Sequence, residues 1–482
     1  MEPVFAFDLV LPARGQGSLT QSLHQQLRAA ILDGRLQAGS ALPATRQAAA
    51  ALGVARNTIV AVYDLLIAEG YALPRSGAKA VVADVATRLP AKARRPPSRR
   101  ADARLNPVWR TIHPRAPSAD DTGVRTFRLG VPEHRHFPHE IWRRLSAQAL
   151  RGWANASFDY APSEGIPALR AGIARHVAFA RAVACTPDDV IVTSGAQQAF
   201  DLLARLLVTP GHTRVAVEDP GYPPLRAAIT AAGGQLVPVP VDDEGLCVER
   251  LPDDVHVIVV TPSHQFPTGV ALSLRRRRAL LELARHRSAV IVEDDYDGEF
   301  RFGGRSLDAL QTLDRDGLVF YVGTFSKSLF PSLRKGFIVA PNWARDSLVA
   351  VKQCADSHCD TLTQSVLAAF ILDGHLARHV RRMRGLYAQR RQALLEGLQR
   401  RLSPWLEPIP SEAGLHLAAR VSAPERASAI IARARLHAPG VQLTTDFALA
   451  SSKQPALAFG YGVIDSGDIA AALLRLRRAL ED

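Results

Sequence analysis

The chain has 482 residues, 47% hydrophobic and 22% charged, an ordinary balance for a folded protein with room for two or three domains. Its net charge is +13, and residues 1–125 hold 17 Lys and Arg against 9 Asp and Glu, a surplus of 8 in about a quarter of the length. Such asymmetry points to a polyanionic partner near the amino-terminal part, although a solvated arginine-rich surface would give the same excess. Cys185, Cys247, Cys354 and Cys359 are too few and too scattered for a disulfide framework, and Cys354 and Cys359 lack a second ligand pair nearby, so no metal site is expected. The first residues carry Glu2 and Asp8 and lack the basic start and apolar core of a secretory signal, and no apolar run is long enough to span a bilayer. A cytoplasmic protein with no membrane partner is the expectation.

In chain order, Leu23, Leu27, Ala30 and Ile31 recur at helical spacing and predict an amphipathic helix over 19–33, ended by Asp33-Gly34. A loop with Gly39 and Pro43 leads to a short alanine-rich helix over 44–51, and Leu52-Gly53-Val54 turns into a third helix over 55–69. There Ile59, Val62, Tyr63 and Leu66 form a core-facing stripe, Gly70 stops the helix, and two short β-prone stretches flank Arg75-Ser76-Gly77 as a hairpin wing would. Residues 86–115 hold nine basic residues, one Asp and five prolines with little periodicity, and read as an exposed linker. Beyond residue 126 apolar strands (190–193, 214–217, 255–260, 289–292 and 318–322) alternate with helical stretches, which predicts a mostly parallel α/β sheet.

A recognition helix offers its first turn to the major groove, so polar side chains must gather there while the opposite face packs. Arg56, Asn57 and Thr58 stand at that place, with Arg46 at the start of the preceding helix. Arg and Asn can read guanine and adenine edges bidentately, and Thr58 or Arg46 can hold phosphates; ordinary helix capping uses the same residue types. Residues 19–82, through Ile31-Leu32-Asp33-Gly34-Arg35-Leu36, Gly39 to Arg46, and Arg56 to Gly70, closely resemble the GntR-type winged helix-turn-helix. The resemblance implies contacts with a double-stranded DNA operator from Arg46, Arg56, Asn57 and Thr58, and from Lys79 in a wing spanning Arg75 to Lys79. Ala55 stands where that family has a serine, which removes one cap or phosphate contact, and Ser76-Gly77-Ala78-Lys79 replaces a glycine-rich wing tip.

The second constellation centres on Thr324-Phe325-Ser326-Lys327 and, seven residues after the lysine, Arg334. A lysine among hydroxyls with an arginine one loop later suits an aldehyde cofactor carrying a phosphate: the amine forms a Schiff base while hydroxyls and guanidinium grip the dianion. Glu293-Asp294-Asp295-Tyr296 follows an apolar strand, at the sheet edge where α/β ligands bind, and a carboxylate there can pair with a protonated pyridine nitrogen, which would lower its pKa. Thr193-Ser194-Gly195-Ala196-Gln197-Gln198 ends a strand and opens a helix whose amides suit a phosphate. Asp219-Pro220-Gly221-Tyr222-Pro223 places an aromatic on a turn where it can stack on a flat ring.

In their order and spacing these segments resemble a fold-type I aminotransferase over residues 126–482, and with the winged helix in front the whole chain resembles the MocR subfamily of GntR regulators. The resemblance implies a winged helix-turn-helix over 16–85, a basic linker over 86–125 and an aminotransferase class I/II-like domain over 126–482, with a mostly parallel large sheet and a smaller carboxyl-terminal domain. It implies pyridoxal 5'-phosphate on Lys327, with Asp294 at the pyridine nitrogen, Tyr296 at the ring hydroxyl and Tyr222 stacked on the ring. Ala196, Gln197, Thr324, Ser326 and Arg334 would hold the phosphate, and Tyr160 would reach in from the second subunit of a homodimer. The enzymes have an asparagine where this chain has Phe266, so His264 or Gln265 would have to supply that contact to the ring hydroxyl. By spacing from Gly460, the arginine that grips a substrate α-carboxylate is replaced by Ala458, which cannot form a charge-assisted fork. The expectation is a transcriptional regulator sensing pyridoxal phosphate or an amine effector; the alternative is a working aminotransferase with an appended DNA-binding domain.

Overall fold

The computed structural model describes residues 4–5, 7–12, 18–75, 79–84, 104, 106–111, 126–155, 159–303, 308–450 and 454–481. Two compact units result, Met1–Ala101 and Asp102–Asp482. In the first, α1 (Leu19–Leu32), α2 (Thr45–Leu52) and α3 (Arg56–Ala68) enclose one core. Every residue of the two predicted stripes is buried, from Leu23, Leu27, Ala30 and Ile31 to Ile59, Val62, Tyr63 and Leu66. Gly53 caps α2 at φ 64°, a left-handed conformation that the α2–α3 turn requires and glycine adopts without cost. Tyr63 reaches from α3 to donate to Pro43 O at 3.0 Å, fixing the loop that leads into α2. Strands β1 (Ala72–Leu73) and β2 (Val81–Val82) pair antiparallel with Ala72 opposite Val82, the base of the expected wing. Its tip, Ser76 to Ala78, lies outside the described residues, as does most of the span read as a linker. The described part of that span includes one short helix, Pro107–Thr111.

The second unit holds an eight-stranded sheet with β3 (Val190–Thr193), β4 (Arg214–Asp219), β5 (Gln235–Asp242), β6 (Gly245–Leu246), β7 (Val257–Val260), β8 (Val290–Asp295), β9 (Val319–Thr324) and β10 (Gly336–Val339). The spatial order is β3-β10-β9-β8-β7-β4-β5-β6. Neighbours from β9 through β5 pair parallel, while β10 runs antiparallel between β3 and β9 and β6 is an antiparallel edge. Parallel strands buried on both faces need continuous apolar runs, which is how Val257-Ile258-Val259-Val260 reads. The reversed β10 crosses its neighbours closely: a Cβ on Gly323 would lie 2.2 Å from the Phe337 ring, so a side chain there would displace β10. A smaller sheet of β11 (Leu406–Pro408), β12 (His416–Val421), β13 (Gln442–Leu443) and β14 (Ala456–Gly460), in the order β11-β12-β14-β13, follows the 27-residue helix His375–Arg401. Among the described residues, no helix is long and apolar enough to cross a membrane.

Candidate functional site

The carboxyl edge of the large sheet carries the expected residues. At the end of β8 the two-residue period of a strand sorts three consecutive carboxylates onto opposite faces. Glu293 accepts from Leu310 N at 2.8 Å and Gln311 N at 2.9 Å, and Asp295 accepts from Arg181 Nε at 2.6 Å and Tyr321 OH at 2.7 Å. Asp294, between them, faces the other way onto the wall of a 280 Å³ cavity. Its Oδ1 is buried with no hydrogen-bond partner among the described residues. Burial, reinforced by the nearby Asp295, Asp297 and Glu218 carboxylates, pushes the Asp294 pKa well up. The Lys327 amine, facing the same cavity, opposes this rise.

Lys327 lies in the turn after β9, and its Nζ donates to Gly130 O at 2.7 Å. Burial lowers its pKa, while Asp297 and Asp294 oppose the change. Gly130 holds φ 69°, and a Cβ there would stand 2.7 Å from the lysine nitrogen; the glycine makes room for the amine. Thr324 Oγ1 donates to Ser326 Oγ at 3.0 Å and accepts from Ser326 N at 3.2 Å. Arg334 donates to Ser194 O at 2.6 Å, and its guanidinium lies 2.9 Å from where a Cβ on Gly195 would sit. The guanidinium, two hydroxyls and the amino end of helix Ala196–Leu207 thus converge at one end of the cavity.

Ala196, Gln197, Tyr222, Asp294, Tyr296, Thr324, Ser326, Lys327 and Arg334 all line this cavity. Tyr222 meets Phe266 edge-on at 5.5 Å. Tyr160 does not line it; its side chain is 83% exposed, 6.1 Å between ring centroids from His358.

Neither substitute for the missing asparagine reaches the wall. Gln265 is fully buried, donating to Glu218 at 3.1 Å, Pro220 O at 2.8 Å and Phe266 O at 2.6 Å. His264 Nδ1 lies 3.0 Å from Asp297 Oδ2 and 3.0 Å from the Tyr296 hydroxyl, which donates to His264 O at 2.8 Å. Phe266 itself is part of the wall. Ala458, the residue read in place of a carboxylate-gripping arginine, is fully buried in β14 between Ala418 and Gln442, and of the three Gln442 lines the cavity.

Sequence reasoning missed Leu129, Gly130, His416, Gln442 and Phe447, all on the wall. His416 opens β12 with a ring centroid 4.4 Å from that of His264. His264, Asp297 and His416 also place three possible ligand atoms within 4.8 Å. The first two are already bonded to each other, and His416 Nε2 lies 3.2 Å from Pro267 O.

The first unit presents the other constellation. Arg46, Arg56 and Asn57 are exposed, and Thr58 is half-buried, its amide bonded to Ala55 O at 3.0 Å. Neither Ala44 nor Ala55 caps its helix with a side chain, and Arg56 Nε donates to Thr45 at 3.4 Å, linking α3 to α2. Lys79 is exposed beside β2.

Residues 129–446 match the aminotransferase class I and II family, and residues 19–82 match the gntR family of bacterial regulatory proteins. The chain is 39% identical over 427 residues to the probable rhizopine catabolism regulatory protein MocR of Rhizobium meliloti, covering 86% of this chain and 83% of that one. The chain belongs to the MocR-type GntR regulators. It is a helix-turn-helix transcriptional regulator with an aminotransferase-type domain. The pyridoxine biosynthesis transcriptional regulator PdxR of Corynebacterium glutamicum is 31% identical, covering 83% of this regulator and 82% of that one. Among solved structures, the α-aminoadipate aminotransferase LysN of Thermus thermophilus, complexed with N-(5'-phosphopyridoxyl)-L-leucine, superposes with a TM-score of 0.67. That enzyme is 30% identical, covering 75% of this chain and 92% of its own, so the fold is that of the type I aminotransferases.

Proposed function

We propose that this regulator holds pyridoxal phosphate on Lys327, works as a homodimer, and changes its grip on an operator when the cofactor or an amine ligand occupies the cavity. The observation that carries this reading is one cavity lined by the half-buried Lys327, the Asp294 carboxylate with its unpaired Oδ1 and the Arg334 guanidinium over a helix amino end. When bound, the cofactor supplies an aldehyde that takes amines covalently.

The protein's own residues do the rest. Lys327 offers an amine whose burial favours the unprotonated, nucleophilic form. Asp294 offers an acceptor to a protonated ring nitrogen, which satisfies its open oxygen. Tyr296 offers its hydroxyl to the ring oxygen by exchanging its bond to His264 O, and Tyr222 closes one face of the cavity. Thr324, Ser326, Arg334 and the Ala196 and Gln197 amides hold the phosphate. Tyr160 serves the partner subunit's cavity, which fits its exposure. On DNA, Arg56 and Asn57 read base edges while Arg46, Thr58 and Lys79 hold phosphates.

The intact Lys327, Asp294 and Arg334 also favour a second reading, a working aminotransferase. Weighing against it, the described wall has no cation besides Lys327 and Arg334 to hold an α-carboxylate. Sustained turnover of an amino acid with a keto acid would establish that reading. The test of the first is borohydride reduction followed by peptide mapping: the adduct sits on Lys327, and Lys327→Ala abolishes it without unfolding the protein. An adduct on another lysine refutes the assignment.

A further inference from the structure

The wall of the cavity has a part that the cofactor reading leaves unused. His416, at the start of β12, is 1% exposed and lines the cavity beside Phe266, with ring centroids 5.9 Å apart. Its Nε2 lies 3.2 Å from Pro267 O. A carbonyl oxygen only accepts, so Nε2 carries the ring proton. Burial, together with the neighbouring His264 and Lys327, holds the His416 pKa well below the ordinary histidine value, so the ring is neutral and its other nitrogen is bare. No hydrogen bond to that Nδ1 is present among the described residues, and the ring stands on the cavity wall. The Gln442 amide from β13 shares the wall, and apolar Leu129, Phe200, Phe266 and Phe447 complete it.

An acceptor of this kind discriminates by chemistry. A carboxylate brings only acceptor atoms and would face a bare ring nitrogen, with Arg334 committed to the cofactor phosphate. A hydroxyl or a second amine brings an N–H or O–H that His416 Nδ1 accepts. Burying that donor in an apolar alternative would leave it unpaired, which is the larger energetic effect.

From the bare Nδ1 of His416 in a cavity whose described wall carries no cation besides Lys327 and Arg334, we infer that the effector is a small amine bearing a hydroxyl or amino group near its reactive nitrogen, and that His416 is the residue that recognises this group. This inference rests on the pyridoxal-phosphate reading of the cavity and adds the class of ligand.

Three probes of nearly equal size separate the possibilities: ethanolamine, n-propylamine and glycine. Each is titrated into the full-length, cofactor-loaded protein and followed by absorbance as its nitrogen exchanges with that of Lys327. One C–N linkage to the cofactor carbon forms, the linkage to Lys327 breaks, and a proton passes from the incoming nitrogen to the lysine amine. The quantity of interest is the preference for ethanolamine over n-propylamine, compared between wild type and His416→Phe, so that intrinsic amine basicity cancels. One neutral hydrogen bond predicts a loss of roughly threefold to tenfold in that preference. His416→Asn keeps an acceptor oxygen and retains part of it, and wild-type protein takes glycine more weakly than ethanolamine. Nitrogen NMR of the cofactor-free protein shows His416 protonated at Nε2 and bare at Nδ1.

A preference unchanged in both variants, glycine bound more tightly than ethanolamine, or the opposite tautomer overturns the inference. Failure of the cofactor to form any imine absorbance would instead overturn the reading on which it rests.

Discussion

Replacing Asp294 with asparagine should have opposite effects on the empty and the loaded protein. In the empty protein the carboxylate is buried with one oxygen unpaired and with Asp295, Asp297 and Glu218 nearby, so its pKa is well raised. A raised carboxyl pKa means the folded state binds a proton that the unfolded chain releases, and stability from this group falls as pH rises above the ordinary value of 3.8. Asp294→Asn removes that titration, so the empty variant gains stability relative to wild type and gains more at pH 8 than at pH 5. In the loaded protein the same change removes one hydrogen bond between charged partners, a loss of about 1.5–3 kcal/mol, or on the order of 10- to 150-fold in cofactor affinity. The assays are thermal unfolding of the empty protein at several pH values and spectrophotometric titration with pyridoxal phosphate. Unchanged cofactor affinity, or an empty variant less stable than wild type at pH 8, would refute the role given to Asp294.

Arg56→Ala should weaken specific DNA binding by about 1–3 kcal/mol and relax base preference at one position, whereas a phosphate-only role would weaken all sequences alike; full affinity in the Arg56→Ala, Asn57→Ala double variant would defeat the helix-turn-helix assignment. Glu133 is buried, which would raise its pKa, but hydrogen bonds from Arg135 at 2.6 Å and Arg390 at 2.5 Å hold it down to about 2. A depressed carboxyl pKa contributes stability above the ordinary 4.5 that is lost as pH falls toward 2. Glu133→Gln should therefore lower stability at neutral pH and flatten the acid limb of the stability profile, checked by chemical denaturation at pH 3, 5 and 7. Light scattering should give a homodimer; a monomer that still binds pyridoxal phosphate tightly would remove Tyr160 from the account.

What the sequence disclosed followed from local rules. The stripe through Ile59, Val62, Tyr63 and Leu66 declares its helix because helical period and burial coincide, and α3 falls within a residue of its expected bounds. Asp294 and Lys327 were legible because the first ends an apolar strand and the second follows one, at the carboxyl edge of the sheet. The reversed β10 was not, since an antiparallel strand buried on both faces reads like its parallel neighbours. His416, Gln442 and Phe447 were missed for a different reason: they come from the smaller sheet and its loops, more than 80 residues after Lys327, and only the packing of that sheet on the cavity makes them neighbours. Spacing from Gly460 says nothing of the wall itself, because Ala458 stays inside the small sheet and the neighbouring Gln442 on the edge strand reaches the cavity.

The central claim is that occupancy of the Lys327 cavity is coupled to DNA binding. Its most direct test is operator affinity of one preparation, empty and loaded with pyridoxal phosphate, with Lys327→Ala as control, on DNA selected for binding from a random pool. Loading shifts affinity or the protected footprint in wild type, affinity by about 5- to 150-fold for a coupling of ordinary size, and shifts neither in Lys327→Ala. Equal affinity and an identical footprint for empty and loaded wild type would contradict it.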